Sequence, residues 1–279
     1  MMLTMALLVA ASAEESYMAT RESFDLWRTR HQHVASDFYA TEAGVEERYN
    51  VWLANLERVA KHNARADQGL TTYRIGMNRL ADLTHGEYRT LMLQPKADRR
   101  ITGLPSAVPR SAVPPPATKN WIDEGALVGI KDQGQCGSCW AFSAVAAMEG
   151  AYNLNAASGI STSCNSTCGP AAAPCCSFSD QEVADCTNGG KNTCNLGGEM
   201  RDGVMEVVTG LGGKIATSDA YPYVSGTTKR LTECVPPTAG KDRVVTGLTG
   251  YRPVPSGDES ALLDASAAFG VLSVCRETP

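Results

Sequence analysis

The cysteines of this chain are confined to its second half, and this distribution constrains the fold more than any other feature. The first 135 residues contain no cysteine, whereas all ten cysteines lie between Cys136 and Cys275. Adjacent cysteines such as Cys175 and Cys176 are typical of disulfide-rich proteins from oxidising compartments. The sequence therefore predicts two parts that are stabilised differently, the second of them by disulfides formed in the secretory pathway.

The N-terminus also indicates export. Residues 1–13 form a short apolar run ending in Ala11-Ser12-Ala13, which is a small-x-small cleavage pattern, so we expect a signal peptide over 1–13. The run lacks basic residues, and an apolar N-terminus without a targeting role is the alternative. The sequon at Asn165 predicts a glycosylated surface loop.

Composition limits the partners. The net charge is −5, without the basic excess of a nucleic-acid-binding protein, so we expect no nucleic-acid partner. No apolar run approaches the roughly 18–20 residues that a membrane-spanning helix needs, so we expect no membrane span.

Hydrophobic spacing and proline content divide the chain further. In the part without cysteines, apolar residues recur at helical spacing, at Phe24, Trp27, Tyr49, Trp52, Leu53, Leu56 and Val59. This pattern predicts a small helical domain over residues 20–93. Six prolines then predict an extended linker over residues 94–116. The second domain is expected over residues 117–279.

The second domain is expected to combine helices with strands. The predicted helices begin at Cys139, Ser179, Met200 and Asp258, and the predicted strands cover residues 244–251 and 271–274. The first of these helices is expected over the alanine-rich run CWAFSAVAAMEGAYNL, in which Gly150 is the first helix-breaking residue. The stretch 153–178 contains four cysteines among Ser, Gly and Pro, which predicts a loop held by disulfides without regular structure. Four cysteines allow three connectivities, and the sequence does not choose between them.

The candidate chemistry lies in Asp132–Ser143, whose sequence is DQGQCGSCWAFS. A thiol attacks a carbonyl carbon as the thiolate, and its pKa is lowered at the start of a helix, where backbone N–H groups point at it. Cys139 occupies such a start and is the candidate nucleophile. Gln133 lies in the preceding loop, which can return its amide beside the sulfur. That amide and the Cys139 backbone N–H would form an oxyanion hole, in which each donor contributes about 3 kcal/mol.

Two other uses of these cysteines stay open. Cys136 and Cys139 have the Cys-x-x-Cys spacing of a thioredoxin-type redox site, although a tryptophan usually precedes the first cysteine there. A zinc site would need Cys136, Cys139, Cys164 and Cys168 to converge, and both the long gap and the oxidising compartment argue against it. We favour the nucleophile, and we expect no metal and no cofactor.

At these residues the chain is similar to the papain family of cysteine proteases, whose signature around the nucleophile is Cys-Gly-[Ser/Ala]-Cys-[Trp/Tyr]. Other similar segments are FSDQEVADC, CNLGG and AYPY. The resemblance implies that Cys139 is the nucleophile and Gln133 the oxyanion donor. It also implies two disulfides, Cys136–Cys194 and Cys186–Cys234. The implied substrate cleft is lined by Gly197, Gly198 and Met200, with Leu196 as an extra residue in the family's Cys-Asn-Gly-Gly pattern.

The helical domain before the linker resembles the inhibitory propeptide of the same family. The matching positions are Arg48, Trp52, Asn55, Val59 and Asn63, followed by Gly76, Asn78, Leu80 and Asp82. Gly44 stands where the family has Glu. The resemblance implies an α+β, papain-like fold: a small helical propeptide, a mainly helical N-terminal lobe, and the beginning of a β-rich C-terminal lobe. It implies protein or peptide substrates, the propeptide as intramolecular inhibitor, and a lysosomal, vacuolar or extracellular destination.

The catalytic imidazole is the part of the family pattern that this sequence does not match. The family places a histidine about 130–150 residues after the cysteine, followed by an orienting Asn in an Asn-Ser-Trp segment. Here all four histidines precede Cys139, at positions 31, 33, 62 and 85. We therefore expect a cysteine endopeptidase precursor, truncated at its C-terminus and inactive by itself. A non-catalytic inhibitor or decoy of a related protease is the alternative, and a disulfide oxidoreductase is a further one.

Overall fold

The computed structural model describes residues 17–31, 36–92, 106–156, 159–190, 192–194, 197–237 and 243–274. The chain divides into two compact units, Met1–Tyr88 and Arg89–Pro279, which we call the N-terminal unit and the C-terminal unit. The predicted signal peptide and Cys275 lie outside the described residues. In the part of the chain that is described, no helix is both long and apolar enough to cross a membrane.

Helices dominate both units. The N-terminal unit contains α1 (Arg21–Arg30), a 3-10 turn (Ser36–Tyr39), α2 (Glu42–Asp67) and the start of α3 (His85–Met92). The C-terminal unit contains α4 (Cys139–Asn155), α5 (Asp180–Cys186), α6 (Met200–Met205), α7 (Ser225–Thr228) and α8 (Glu259–Ala268). Two antiparallel pairs of strands accompany them, β1 (Ser166–Cys168) with β2 (Ala173–Cys175), and β3 (Lys214–Ala216) with β4 (Arg243–Val245).

An aromatic cluster forms the core of the N-terminal unit. Thr20 caps α1 by accepting a hydrogen bond from the Ser23 N–H, and the turns that follow bury Phe24 and Trp27. Both rings pack against Trp52, the buried tryptophan of α2, at centroid distances of 5.6 and 6.3 Å. The helix face predicted from the spacing of the aromatic residues is therefore the face that makes the core.

Arg48 of α2 is the polar centre of the same unit. Its buried guanidinium donates to the backbone oxygen of Asp82 at 2.8 Å and forms two parallel hydrogen bonds to the Glu87 carboxylate at 2.8 and 2.9 Å. These bonds lower the pKa of Glu87 to about 2. Gly44 is required where the family has Glu, because a Cβ there would lie 2.3 Å from the Phe38 carbonyl oxygen. The carboxylate that pairs bidentately with Arg48 thus comes from α3.

The core of the C-terminal unit lies between α4, α5 and α6. The predicted helix at Cys139 is confirmed, and it continues through Gly150 to Asn155. Gly150 is accommodated because it packs against Val271, where a Cβ would approach the valine side chain to 2.6 Å. The predicted cap of α5 is also confirmed, since the Ser179 hydroxyl accepts a hydrogen bond from the backbone N–H at the third helical position.

A buried cluster of charges joins α4 and α5 to the loop before α4. Lys131 Nζ lies 2.7 Å from Glu149 of α4 and 2.9 Å from Asp180 of α5, and it donates to the Phe178 carbonyl oxygen at 3.0 Å. Two carboxylates therefore share one ammonium group away from water. Burial raises the pKa of both carboxyls, that of Asp180 to about 7, against the attraction of Lys131.

The prediction of an irregular loop over residues 153–178 is wrong for the middle of that stretch, which forms the β1–β2 hairpin. Cys168 and Cys175 are bonded across the two strands, and Cys164 and Cys176 are bonded around them. The four cysteines thus take the nested one of their three connectivities. Composition alone pointed to a loop because these strands are held by disulfides, without the apolar alternation that marks an ordinary strand.

The other elements follow the sequence with two exceptions. The helix expected from Met200 is α6 followed by one π-helical turn that ends at Gly210, and α8 begins after Asp258, as predicted. The strand predicted over residues 244–251 is confined to β4, because glycines with positive φ follow it. The strand predicted over residues 271–274 is absent from the described residues. The apolar side chains of residues 271–274 line the wall of a cavity in the C-terminal unit.

Replacing Glu87 by Gln should remove an acid-sensitive part of the stability of the N-terminal unit. A carboxylate whose pKa is lower in the folded state stabilises the fold above its unfolded value, and this effect is lost as the pH falls. We expect Glu87→Gln to cost about 2 kcal/mol at pH 7. The difference from wild type should shrink as the pH falls from 4.5 towards 2. Hydrogen exchange of α2 peptides measures both the loss of stability at pH 7 and its dependence on pH.

Glu57→Gln is the matched control for this experiment. Glu57 pairs with Lys61 on the exposed face of α2, and exposed pairs of this kind contribute little. Equal losses in the two variants, or a Glu87→Gln loss that does not depend on pH, would contradict the assigned role of Glu87.

Candidate active site

Cys139 is the first residue of α4 and is partly exposed at the N-terminal end of that helix. It belongs to none of the four disulfides found among the described cysteines. Ser138 holds the N-cap position, but its side chain does not cap the helix and instead contacts the Tyr223 hydroxyl at 2.6 Å. The thiol is therefore placed where a helix begins, which is the position that the sequence predicted.

Gln133 lies in the loop that leads into α4. Its side-chain amide donates to the carbonyl oxygen of Cys136, three residues before the thiol, at 2.8 Å, so the amide is held inside the loop. The nitrogen of such an amide carries a second hydrogen, which another acceptor can use. The loop turns at Gly134, whose φ of +61° is a left-handed conformation that suits glycine. Gln133 and Cys139 thus belong to one compact turn.

The same loop is fastened to the segment that contains the predicted cleft residues. Cys136 is bonded to Cys194. The Gly137 N–H donates to the Cys194 carbonyl oxygen at 2.8 Å, and a Cβ on Gly137 would lie 2.3 Å from that oxygen. Because Cys136 is bonded to Cys194, it is not paired with Cys139, which is the pairing that a redox site would use.

The other cysteines also form structural bonds. Cys186, the last residue of α5, is bonded to Cys234. Cys164 and Cys168, which were weighed as zinc ligands, are in the hairpin disulfides. Across the described residues, no group of three or more His, Cys, Asp or Glu side chains is placed to hold a metal ion.

Gly198 packs directly against the residue that follows the thiol. A Cβ on Gly198 would come within 2.6 Å of the Trp140 indole, so the backbone passes this ring without room for a side chain. Gly197 has a φ of +64° and donates its N–H to the Thr193 carbonyl oxygen at 2.9 Å. The extra residue of this segment, Leu196, lies outside the described residues. The two predicted cleft glycines are therefore placed beside the first turn of α4.

Met200 begins α6 and borders a cavity of about 580 Å³ within the C-terminal unit. Its sulfur accepts a hydrogen bond from the Ser273 hydroxyl at 2.8 Å. The other walls include Val204 of α6, Leu262 of α8 and Val271 of the segment after α8. Such an aliphatic wall suits an apolar side chain.

The described histidines all lie in the N-terminal unit, at His31, His62 and His85. His62 Nε2 is 2.9 Å from the Tyr73 carbonyl oxygen, and its ring packs on the Tyr73 ring at a centroid distance of 4.5 Å. His33 lies outside the described residues. The sequence contains no histidine after Cys139.

Asn165, the residue of the sequon, directly precedes β1 on the surface of the C-terminal unit. Its side-chain nitrogen, the atom to which a glycan would be joined, donates to Asp219 at 2.6 Å.

Tyr223 is the residue next to the loop of Gln133 and Cys139 that sequence reasoning missed. Its segment, AYPY, was noted as similar to the papain family, but that similarity assigned it no role.

Comparison with known proteins identifies the family. Residues 115–278 match the papain family cysteine protease profile, and residues 24–88 match the cathepsin propeptide inhibitor domain. The chain belongs to the papain family of cysteine proteases. Its N-terminal unit accordingly carries a domain of the propeptide inhibitor type, as the resemblance implied.

Papain-family relatives from a plant and an insect match most of this chain. Cysteine protease 1 of Oryza sativa subsp. japonica is 35% identical over 260 residues, covering 91% of this chain and 48% of the rice protein. A cathepsin L-like peptidase of Aedes aegypti is 30% identical over 285 residues, covering 98% of this chain and 75% of that protein. The chain thus spans about half the length of the rice relative.

Solved structures of papain-family precursors share the fold. Digestive procathepsin L 3 from the larval midgut of Tenebrio molitor is 27% identical, with a TM-score of 0.67 over 88% of this chain and 70% of that chain. Digestive procathepsin L2 from the same source is 25% identical, with a TM-score of 0.64 over 88% and 71%. The predicted α+β, papain-like fold is confirmed.

Gly198→Ala should destabilise the C-terminal unit by displacing Trp140. The added methyl group would overlap the indole, and overpacking of this kind costs about 1–3 kcal/mol. We expect a lower melting temperature, and increased hydrogen exchange in peptides that cover the start of α4. Gly129→Ala is the control, because nothing lies within 4 Å of the position its methyl group would take. If both variants melt at the same temperature, the contact between Gly198 and the indole is not as tight as described.

Proposed function

We propose that this chain is the precursor of a cysteine-type endopeptidase, in which the Cys139 thiolate attacks the carbonyl carbon of a peptide bond. The observation that carries the proposal is the position of Cys139, a partly exposed thiol at the first residue of α4 in a papain-family chain. Backbone N–H groups at a helix N-terminus favour the thiolate over the thiol. The disulfides of the neighbouring cysteines leave Cys139 as the candidate for this chemistry.

The residues around Cys139 have distinct proposed roles. Attack on the carbonyl carbon produces an oxyanion, which the Cys139 backbone N–H and the Gln133 side chain would stabilise. The extended backbone of a protein or peptide substrate would lie along Gly197 and Gly198, beside the first turn of α4. The P2 side chain of the substrate would enter the apolar cavity beside Met200.

Turnover also needs an imidazole, which takes the proton of the thiol and later gives it to the leaving amine. The histidines of this sequence lie between residues 31 and 85, in the part that contains the propeptide inhibitor domain. We propose that this domain acts as an intramolecular inhibitor, which blocks the substrate cleft and supplies no general base for catalysis. The 279 residues would then bind substrate after processing but would not turn it over by themselves.

The disulfides are consistent with the secretory pathway. We further propose a cleaved signal peptide over residues 1–13, glycosylation at Asn165, processing within the linker over residues 94–116, and a lysosomal, vacuolar or extracellular destination. Each of these rests on the sequence patterns and on family membership.

The activity proposal is tested with the 279-residue chain and its Cys139→Ser variant, before and after cleavage in the linker. We expect iodoacetamide to alkylate Cys139. We expect a dipeptidyl fluorogenic substrate to be hydrolysed no faster by wild type than by Cys139→Ser, because losing a general acid–base group costs about 10²–10⁴-fold. Turnover well above the Cys139→Ser rate would reveal another base. A folded chain whose Cys139 resists alkylation would overturn the nucleophile assignment.

A second candidate function is a non-catalytic inhibitor or decoy of a related protease. It is favoured by the aromatic core of the N-terminal unit around Phe24, Trp27 and Trp52, which gives the inhibitor-type domain a core of its own. An inhibitor needs no thiol, so Cys139→Ser should inhibit a cathepsin L-type protease as strongly as wild type does. Replacing Trp52 by Ala should abolish the inhibition. If neither the wild type nor Cys139→Ser slows the cathepsin L-type protease, the inhibitor function is excluded.

A further inference from the structure

The loop that carries Gln133 and Cys139 rests on one short segment, Tyr223–Gly226. We propose that Tyr223 is a positioning residue for the nucleophile, because its hydroxyl group ties together the two ends of this loop. The inference rests on the proposed function, since it concerns how the thiol and the oxyanion donor are held in register.

The hydroxyl group of Tyr223 makes two hydrogen bonds. It donates to the Gln133 carbonyl oxygen at 2.8 Å and lies 2.6 Å from the Ser138 hydroxyl. A phenol has a single hydrogen, and since that hydrogen goes to Gln133, the Ser138 hydroxyl must be the donor in the second bond. One oxygen atom thus connects the residue that carries the oxyanion amide with the residue that directly precedes the thiol.

The bond to Tyr223 also explains the unusual cap of α4. A serine at the N-cap position normally accepts a hydrogen bond from a backbone N–H of the first helical turn. Ser138 makes no such bond, and its side chain is directed to Tyr223 instead. The contact with Tyr223 therefore fixes the residue that directly precedes Cys139, at the start of the turn whose N–H groups stabilise a thiolate.

Close packing holds the tyrosine and the loop in place. The Tyr223 ring meets the Phe142 ring of α4 edge-on, with centroids 4.8 Å apart. Gly226 accepts a hydrogen bond from the Gln135 N–H at 2.9 Å, and a Cβ on Gly134 would lie 2.6 Å from the Gly226 Cα. Burial raises the pKa of Tyr223 to about 12, so the hydroxyl remains a donor at neutral and acidic pH. Close packing therefore leaves neither the loop nor the Tyr223–Gly226 segment room to shift.

The Tyr223–Gly226 segment is itself hydrogen-bonded to α5. The side-chain oxygen of Gln181 accepts hydrogen bonds from the Val224 and Ser225 N–H groups at 2.9 and 3.0 Å, and its nitrogen donates to the Ser225 hydroxyl at 2.7 Å. These bonds are buried or nearly so. Tyr223 therefore transmits the position of α5 to the loop that carries the nucleophile.

Tyr223→Phe is the direct test, because it keeps the ring against Phe142 and removes only the hydroxyl group. The 279-residue chain is cleaved in the linker and treated with iodoacetamide across a pH series, and mass spectrometry follows the peptide that contains Cys139. We expect alkylation near neutral pH to be about fivefold slower, the factor that corresponds to losing one typical hydrogen bond. The midpoint of the pH profile should move upward, because the first-turn N–H groups would no longer be held in register with the sulfur.

Tyr221→Phe is the matched control. Tyr221 lies two residues before Tyr223 and donates to Asp185 at 3.0 Å, away from the loop. We expect both variants to lose thermal stability, but only Tyr223→Phe to change the alkylation profile. Ser138→Ala should reproduce the change, and the double variant with Tyr223→Phe should add little to it, since the two residues act through one contact. Ser138→Ala also keeps the test decisive if Tyr223→Phe does not fold.

The outcomes separate this inference from the function on which it rests. Wild-type alkylation at Cys139, with profiles that are identical in Tyr223→Phe, Ser138→Ala and Tyr221→Phe, would overturn the positioning role and leave the nucleophile assignment intact. A folded wild type in which Cys139 is not alkylated even after cleavage in the linker would overturn both, because no reactive thiol would remain to be positioned.

Discussion

The contact of Lys131 with Glu149 and Asp180 is the interaction on which the rest of the C-terminal unit depends. It joins the loop before α4 to α4 and α5, two of the helices that form the core, in a place where neither carboxylate reaches water. Removing the ammonium group would leave two buried carboxylates to repel each other, which is far more damaging than losing an exposed ion pair. The raised pKa of Asp180 reports the same conflict between burial and charge.

This ion cluster also fixes one end of the loop that carries the chemistry, since Lys131 is followed directly by Asp132 and Gln133. The other end is fixed by the Cys136–Cys194 disulfide. Between these points the loop has little conformational freedom, so the position of Cys139, which directly follows the loop, is also restricted. A nucleophile gains from such a setting because the groups that stabilise its charge need not move when the charge forms.

Features that depend on neighbouring residues could be predicted from the sequence. The cap at Ser179, the shared face of Phe24 and Trp27, and the start of a helix at Cys139 each involve positions within a few residues of one another. Helix periodicity and capping are local rules, and the local chain obeys them. The family signature around Cys139 implied the partners of the thiol because it is itself a local pattern.

Contacts between distant segments could not be predicted in this way. Tyr223 and Ser138 are separated by 85 residues, and no periodicity links them. The strand predicted over residues 271–274 has the right apolar composition, but a strand also needs a partner with which to exchange backbone hydrogen bonds. The pairing of Cys164, Cys168, Cys175 and Cys176 was undetermined for the same reason, because connectivity is a property of three-dimensional proximity.

The nested disulfides make the β1–β2 hairpin a self-contained insertion. Its outer ring closes over a sequence separation of only 12 residues, and its Cys176 sulfur belongs to the core beside α4. The hairpin follows the C-terminal end of a helix roughly 25 Å long, whose other end carries Cys139. The hairpin is therefore stiffened by its own cross-links, next to the end of α4 that lies farthest from the thiol.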